Sequence, residues 1–133
     1  MTNLYKLFIL VDDDPLSNLL LKKVIEKNLE GAEVKDFNIP EIALDYIETD
    51  LEHHPFEEKI TLFLDINMPT LTGWEFLEKF ETFKKPIKNQ FNIYILSSSI
   101  DPADIQCAQL NPLVLDFIEK PINKDFLIKT FSY

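Results

Sequence analysis

Four groups of residues, each at or just past the end of a short, largely apolar segment, could carry out chemistry together. They are the aspartates at 12–14, Asp65, the serines at 97–99, and Lys120 with Pro121. Crowded carboxylates repel one another, so they either take up protons or attract a cation, and oxygen ligands without His or Cys favour Mg²⁺ over zinc. A neighbouring amine and hydroxyl could hold a phosphoryl group. These residue types therefore indicate Mg²⁺-dependent phosphoryl transfer.

Asp65 is the strongest candidate for the nucleophile, because an aspartate carboxylate can itself be phosphorylated. It follows the continuous apolar run at 60–64, which is typical of a strand buried on both faces in a parallel sheet. Asp12 and Asp13 are then expected to hold the metal beside it rather than to react. Asp14, which precedes Pro15, is interpreted as a solvated helix cap.

The residues between these groups predict the elements that position them. Apolar runs at 5–11, 60–64 and 93–96 predict three strands, and 32–37 and 114–118 predict two further strands. Apolar residues at helical spacing predict a helix after each strand. The predicted core-facing stripe of the first helix consists of Leu16, Leu19, Leu20, Val24 and Leu29. Gly31 is expected to end this helix in the left-handed conformation. Asn38, Asp101 or Ser99, and Asn123 are expected to cap the second, fourth and last helices.

Strand and helix thus alternate five times along the chain. Short connections with right-handed crossovers lead to a doubly wound, five-stranded parallel sheet of order 2-1-3-4-5 rather than to a closed barrel. Ligands bind such sheets outside the carboxyl ends of the strands, where the winding direction reverses, and the polar groups fall at these ends. Trp74, Phe76 and Phe80 are predicted to be core residues, and the lysines at 84–88 to lie in a solvated loop. His53 and His54 are assigned to a surface loop without a role.

Composition limits the classes of function. With 133 residues, 46% hydrophobic and 12% aromatic, the chain fits one folded domain. A net charge of −10 opposes direct binding to nucleic acid or anionic membranes. The single cysteine, Cys107, excludes an internal disulfide, suits the cytoplasm, and is predicted to be a buried or half-buried small residue. The apolar run near the amino terminus is too short for a signal peptide or a membrane span.

Four motifs occur in a fixed order: ValAspAsp at 11–13, LeuAspIleAsnMetPro at 64–69 followed by Gly73, Ser97 after an apolar strand, and Lys120-Pro121. Together they resemble the receiver domain of two-component response regulators over essentially the whole chain. The resemblance implies a flavodoxin-like (βα)5 fold in which residues 1–133 form one receiver domain without an output domain.

The resemblance also implies the roles of individual residues. Asp65 would be the phosphoacceptor, Asp13 a direct metal ligand, Asp12 a ligand directly or through water, and the main-chain carbonyl of Asn67 a further ligand. Ser97 would contact the phosphoryl oxygens, and Lys120 would pair with them. The Lys120-Pro121 bond is expected to be cis.

A conformational switch is implied as well. Ser97 would move toward the phosphate, and Phe117 would turn inward to fill the space that it leaves. This movement would reshape the surface of helix four, strand five and helix five. Phe117 stands where a tyrosine is often found, so only the packing part of this switch can operate. Thr72 replaces the aspartate commonly seen before Gly73, and the sequence suggests no mechanism for it.

The implied partners are a sensor histidine kinase or a histidine phosphotransfer protein as donor, and a downstream protein target. A homodimer through the face of helix four, strand five and helix five is a further option. No direct contact with nucleic acid or membrane is expected. The chain would not be an enzyme, although it would assist its own phosphorylation and dephosphorylation.

Two alternatives remain open. A haloacid-dehalogenase-like phosphatase also combines an Asp nucleophile, Mg²⁺, a hydroxyl and a Lys, and Asp12-x-Asp14 loosely imitates its first motif. Pro15 at the third position past Asp12, and the single acid Asp125 after Lys120, depart from that pattern. A non-phosphorylated receiver-like scaffold is the other alternative, and the intact set of acids, serine and lysine opposes it.

Overall fold

Strands and helices alternate along the part of the chain that the computed structural model describes, residues 6–51 and 59–131. The strands are β1 Lys6–Val11, β2 Ala32–Phe37, β3 Ile60–Asp65, β4 Phe91–Ser97 and β5 Val114–Glu119. The helices are α1 Pro15–Asn28, α2 Pro40–Thr49, α3 Gly73–Phe80, α4 Lys85–Lys88, α5 Pro102–Leu110 and α6 Lys124–Phe131. Tyr5, His53 and His54 lie outside the described residues, so the predictions for them stay predictions.

All five strands pair in parallel in the order β2-β1-β3-β4-β5, which confirms the predicted flavodoxin-like sheet. Every residue of β3 is buried, as its continuous apolar run predicts for a central strand covered on both faces. The register pairs Val11 with Leu64 and Asp65 with Leu96. The residues that end β1, β3 and β4 therefore meet at one edge of the sheet.

The core consists of two apolar layers, one on each face of the sheet. Phe76, Leu77 and Phe80 of α3 are buried on one face together with residues of α2. On the other face, Phe8 and Phe63 stack with ring centroids 6.2 Å apart beneath α1 and α6. Burial of each such large side chain stabilises the fold by about 1.5 to 3 kcal/mol. No helix among the described residues is long and apolar enough to cross a membrane.

The predicted core-facing stripe of α1 is largely wrong. Leu16, Leu19 and Leu20 are 60%, 46% and 56% exposed, whereas Asn18 and Ile25 are buried. Leucines surround much of this helix, so the spacing of apolar residues does not determine which side faces the sheet. The tertiary contacts of Asn18, described below, rotate the helix away from the predicted orientation.

The predictions for the helix caps are confirmed in part. Asp14, Asp101 and Asn123 accept hydrogen bonds at the starts of α1, α5 and α6, as predicted, and Gly31 has a φ of 80°. Three other predictions are wrong. The cap of α2 is Ile39, without a side-chain hydrogen bond, instead of Asn38. The lysine-containing segment forms the short helix α4, because burial of Ile87 anchors it to the core. Cys107 is exposed on the outer side of α5.

Candidate functional site

Three aspartates come together at the carboxyl edge of the sheet. Asp12 follows β1, Asp65 ends β3, and each is only 4% exposed. Asp13, next to Asp12, is half-buried. One carboxylate oxygen from each of the three lies within 4.8 Å of the others. Because β1 and β3 are parallel neighbours, the strand register places Asp12 beside Asp65, and Asp13 follows in the turn after β1.

Lys120 inserts its ammonium group among these carboxylates. Its Nζ lies 2.5 Å from Oδ2 of Asp12, 3.6 Å from Oδ1 of Asp65 and 3.5 Å from Oγ of Ser17. Its backbone N–H donates to the carbonyl of Ser97 at 2.8 Å, which fixes the lysine beside β4. The bond to Pro121 is cis, as expected. The shortest hydrogen bond of the lysine ammonium is the one to Asp12.

The site carries an excess of negative charge. Burial and the charge of Asp12 raise the pKa of Asp65 to about 6, although the Lys120 ammonium and a backbone hydrogen bond from Asn67 act to lower it. Burial alone would lower the pKa of Lys120, but its hydrogen bond to Asp12 and the charges of Asp12 and Asp65 outweigh burial and raise it. Three carboxylates face one ammonium group, so a further cation could offset the remaining negative charge.

The donor set suits Mg²⁺. The clustered ligand atoms of Asp12, Asp13 and Asp65 are all carboxylate oxygens, which Mg²⁺ prefers over nitrogen or sulfur ligands. The pKa of Asp65 is raised first by burial and then by the charge of Asp12, so a cation held here would favour the ionised carboxylate. Asn67, whose carbonyl was predicted as a further ligand, is exposed at the start of the loop after β3.

Ser97 and Phe117 lie farther along the sheet. Ser97 is fully buried, its Oγ donates to the carbonyl of Ser99 at 2.7 Å, and it accepts from the Ser99 N–H at 3.2 Å. The hydroxyl is thus engaged by the loop between β4 and α5. Phe117 is half-buried on β5 and lines an open cleft of about 430 Å³ between α5 and β5, together with Ile105 and Leu115.

The sequence interpretation missed two residues around the site. Ser17 contacts Lys120, and Asn18 is buried behind Asp12. Their signal in the sequence was two polar residues placed among leucines directly after the acids. Thr72 also gains a role: it accepts from Glu75 N–H at 3.1 Å, while the Glu75 carboxylate accepts from Thr72 N–H at 2.9 Å, which caps α3.

Asp14, the second acid of the phosphatase-like pattern, lies at the start of α1. Its carboxylate is exposed and accepts a hydrogen bond from the N–H of Leu16 at 3.0 Å, so it caps α1 as predicted. Asp125, the acid after Lys120, is exposed in the first turn of α6.

Comparison with known protein families matches residues 8–132 to the response regulator receiver domain. A solved response regulator receiver protein from Dyadobacter fermentans shares 23% identity at a TM-score of 0.81, over 96% of this chain and 99% of that one. A two component response regulator from Cytophaga hutchinsonii shares 26% identity at a TM-score of 0.81, over 96% and 94%. The chemotaxis protein CheY4 from Vibrio cholerae shares 22% at 0.74, over 97% and 98%. Curated protein sequences gave no significant match.

Proposed function

The chain belongs to the response regulator receiver domain family, the signalling switches of two-component systems, and on that premise we propose that Asp65 accepts a phosphoryl group from a phosphohistidine donor in a Mg²⁺-dependent reaction. The observation that carries this proposal is the cluster of Asp12, Asp13 and Asp65 with Lys120 inserted into it. The donor is a sensor histidine kinase or a histidine phosphotransfer protein, and residues 1–133 act as one receiver domain in the cytoplasm.

Asp12, Asp13 and Asp65 would hold the Mg²⁺, with the main-chain carbonyl of Asn67 as a further proposed ligand. A bound Mg²⁺ would offset the negative charge of the phosphoryl oxygens during transfer. The protein's own side chains, Asp65 and Lys120, carry out the remaining steps.

Asp65 supplies the nucleophile. With a pKa of about 6, its carboxylate is mostly ionised at neutral pH. One of its oxygens forms a bond to phosphorus while the bond from phosphorus to the donor imidazole breaks, and the imidazole leaves with the electron pair. Lys120, whose Nζ is 3.6 Å from Asp65, is positioned to exchange Asp12 for an incoming phosphoryl oxygen. Its charge then offsets the charge that develops in the transition state.

The output of the switch is a surface that we define as α5, β5 and α6, which corresponds to helix four, strand five and helix five of the sequence interpretation. Phosphorylation would draw the Ser97 hydroxyl away from Ser99, and Phe117 would turn into the released space. Ile100, Leu110, Leu115 and Ile128 expose apolar area on this surface or at its border. Exposed apolar area of this kind marks protein contacts, so a downstream protein or a second copy of the chain would bind here.

Modification by acetyl phosphate tests the proposal. We expect a Mg²⁺-dependent increase in intact mass that is lost in Asp65→Asn and kept in Asp125→Asn, the matched control on exposed α6. Labelling of another residue in Asp65→Asn would contradict the assignment. Absence of both Mg²⁺ binding and labelling would favour the scaffold, and turnover of a small phosphate ester would favour the phosphatase.

A further inference from the structure

Asn18 is a buried polar residue on the side of α1 that faces the sheet. It is only 2% exposed. Its Nδ2 donates to the carbonyl of Asp12 and to the carbonyl of Phe37, both at 3.0 Å. A polar side chain in this position is stabilised only because both amide hydrogens find acceptors. These acceptors lie just beyond the end of β1 and at the end of β2, so one side chain links two strands to α1.

The carbonyl of Asp12 belongs to the peptide that joins Asp12 to Asp13. Fixing its direction therefore fixes the plane of this peptide, which contains the Cα of Asp13. The same turn is restrained from two more sides: Asp12 N–H donates to the carbonyl of Phe37 at 3.1 Å, and Asp14 N–H donates to Oδ1 of Asp12 at 3.0 Å. Asn18 is thus the side chain that supports the backbone carrying both acids.

A turn that is held in place matters at this site because its carboxylates carry like charges. The carboxylates of Asp12, Asp13 and Asp65 repel one another, so a flexible turn would let the first two move apart. A turn that is held in place keeps the ligand spacing ready before a cation arrives, and less ordering is needed on binding.

We propose that Asn18 is a positioning residue of the metal site: by holding the Asp12–Asp13 peptide against the carboxyl ends of β1 and β2, it sets the affinity for Mg²⁺. This inference rests on the proposed function. It requires no contact between Asn18 and the metal, because the effect passes through the backbone of the two acids.

The test compares Asn18→Ala and Asn18→Leu with Asn28→Ala. Asn28 also lies on α1 and donates its Nδ2 to a backbone carbonyl, that of Val24 at 2.8 Å, but at the far end of the helix. Calorimetric titration with MgCl₂ gives the dissociation constant, and urea unfolding in EDTA gives the stability without metal. We expect both Asn18 variants to bind Mg²⁺ about 10- to 100-fold more weakly, as is typical when the groups that orient metal ligands are removed. Asn28→Ala should bind like the wild type.

The two Asn18 variants separate positioning from packing. Leucine fills more of the volume of the Asn18 side chain than alanine does. The two variants should therefore differ in stability but show the same loss of Mg²⁺ affinity. If both lose stability and keep the wild-type dissociation constant, the residue is merely structural and the inference is overturned. If Asn18→Ala does not fold, Asn18→Ser replaces it: its one hydroxyl donor should give intermediate affinity, and wild-type affinity would overturn the inference. Wild-type protein that binds no Mg²⁺ would overturn the proposed function itself.

Discussion

The indole Nε1–H of Trp74 donates a hydrogen bond to Oδ1 of Asp104 at 3.1 Å, and this bond joins the first turn of α3 to the first turn of α5. α3 follows the loop that leaves Asp65, and α5 follows the loop that leaves Ser97. Two helices that follow site residues are therefore connected directly by their side chains.

Removal of this bond should loosen α5. In Asp104→Ala we expect the amide hydrogens of α5 to exchange faster and the emission of Trp74 to shift, because a hydrogen bond to a charged group contributes about 1.5 to 3 kcal/mol when well formed and less when partly exposed. Asp101→Ala is the control: it removes the cap of α5 at a cost of about 1 kcal/mol but leaves the indole bonded. Equal changes of Trp74 emission in both variants would contradict the prediction.

Replacement of Asp65 by asparagine should stabilise the fold at neutral pH. The folded-state pKa of about 6 lies above the ordinary value of 3.8, so the folded protein binds more protons between these pH values, and the contribution of Asp65 to stability falls as pH rises from about 4 to 6. The shift is worth at most about 3 kcal/mol. Solvent screening reduces the expected gain of Asp65→Asn at pH 7.5 to about 1 to 2 kcal/mol.

Urea unfolding in EDTA at a series of pH values measures this gain. It should be present at pH 7.5 and disappear below about pH 3, where Asp65 is protonated in both the folded and unfolded wild type. A variant that is less stable than the wild type at pH 7.5, or a gain that does not change with pH, would show that ionisation of Asp65 does not destabilise the fold.

Lys120→Ala should lower the stability of the apo protein but leave metal binding in place. Without the ammonium group, Asp12 and Asp65 lose their counter-charge, so the apo protein should lose about 1 to 3 kcal/mol at neutral pH and less in acid. Mg²⁺ binding should persist, while the response of the α5, β5 and α6 surface to beryllofluoride should be lost in NMR spectra. Exposed Lys124→Ala is the control. Loss of Mg²⁺ binding in Lys120→Ala would contradict this prediction.

Gly73→Ala should disturb the end of β3 and the loop that follows Asp65. A methyl group at this position would lie 2.8 Å from the Cα of Ile66 and 2.9 Å from the carbonyl oxygen of Asp65, both of which are backbone atoms. The loop would have to move, so we expect a loss of about 1 to 3 kcal/mol in urea unfolding and weaker Mg²⁺ binding. Thr72→Ser, which keeps a capping hydroxyl next to it, should leave both quantities near those of the wild type.

The sheet and its carboxyl edge were predictable because each is encoded locally. The apolar run before Asp65 specifies a strand buried on both faces, and parallel pairing then brings the strand ends together. The orientation of α1 was not predictable, since the carbonyl that holds Asn18 at Phe37 is 19 residues away. The bond from Lys120 to Asp12 spans 108 residues, so its geometry also depends on the completed fold.

The exposure of Cys107 on α5 has a practical consequence. Because the chain contains one cysteine, a thiol-reactive fluorophore attaches at a single defined position. That position follows Asp104 by three residues, one helical turn from the bond to Trp74. At this short range, quenching of a dye on Cys107 by the indole, the single tryptophan of the sequence, would report any displacement of α5 relative to Trp74 in real time, without introducing a mutation.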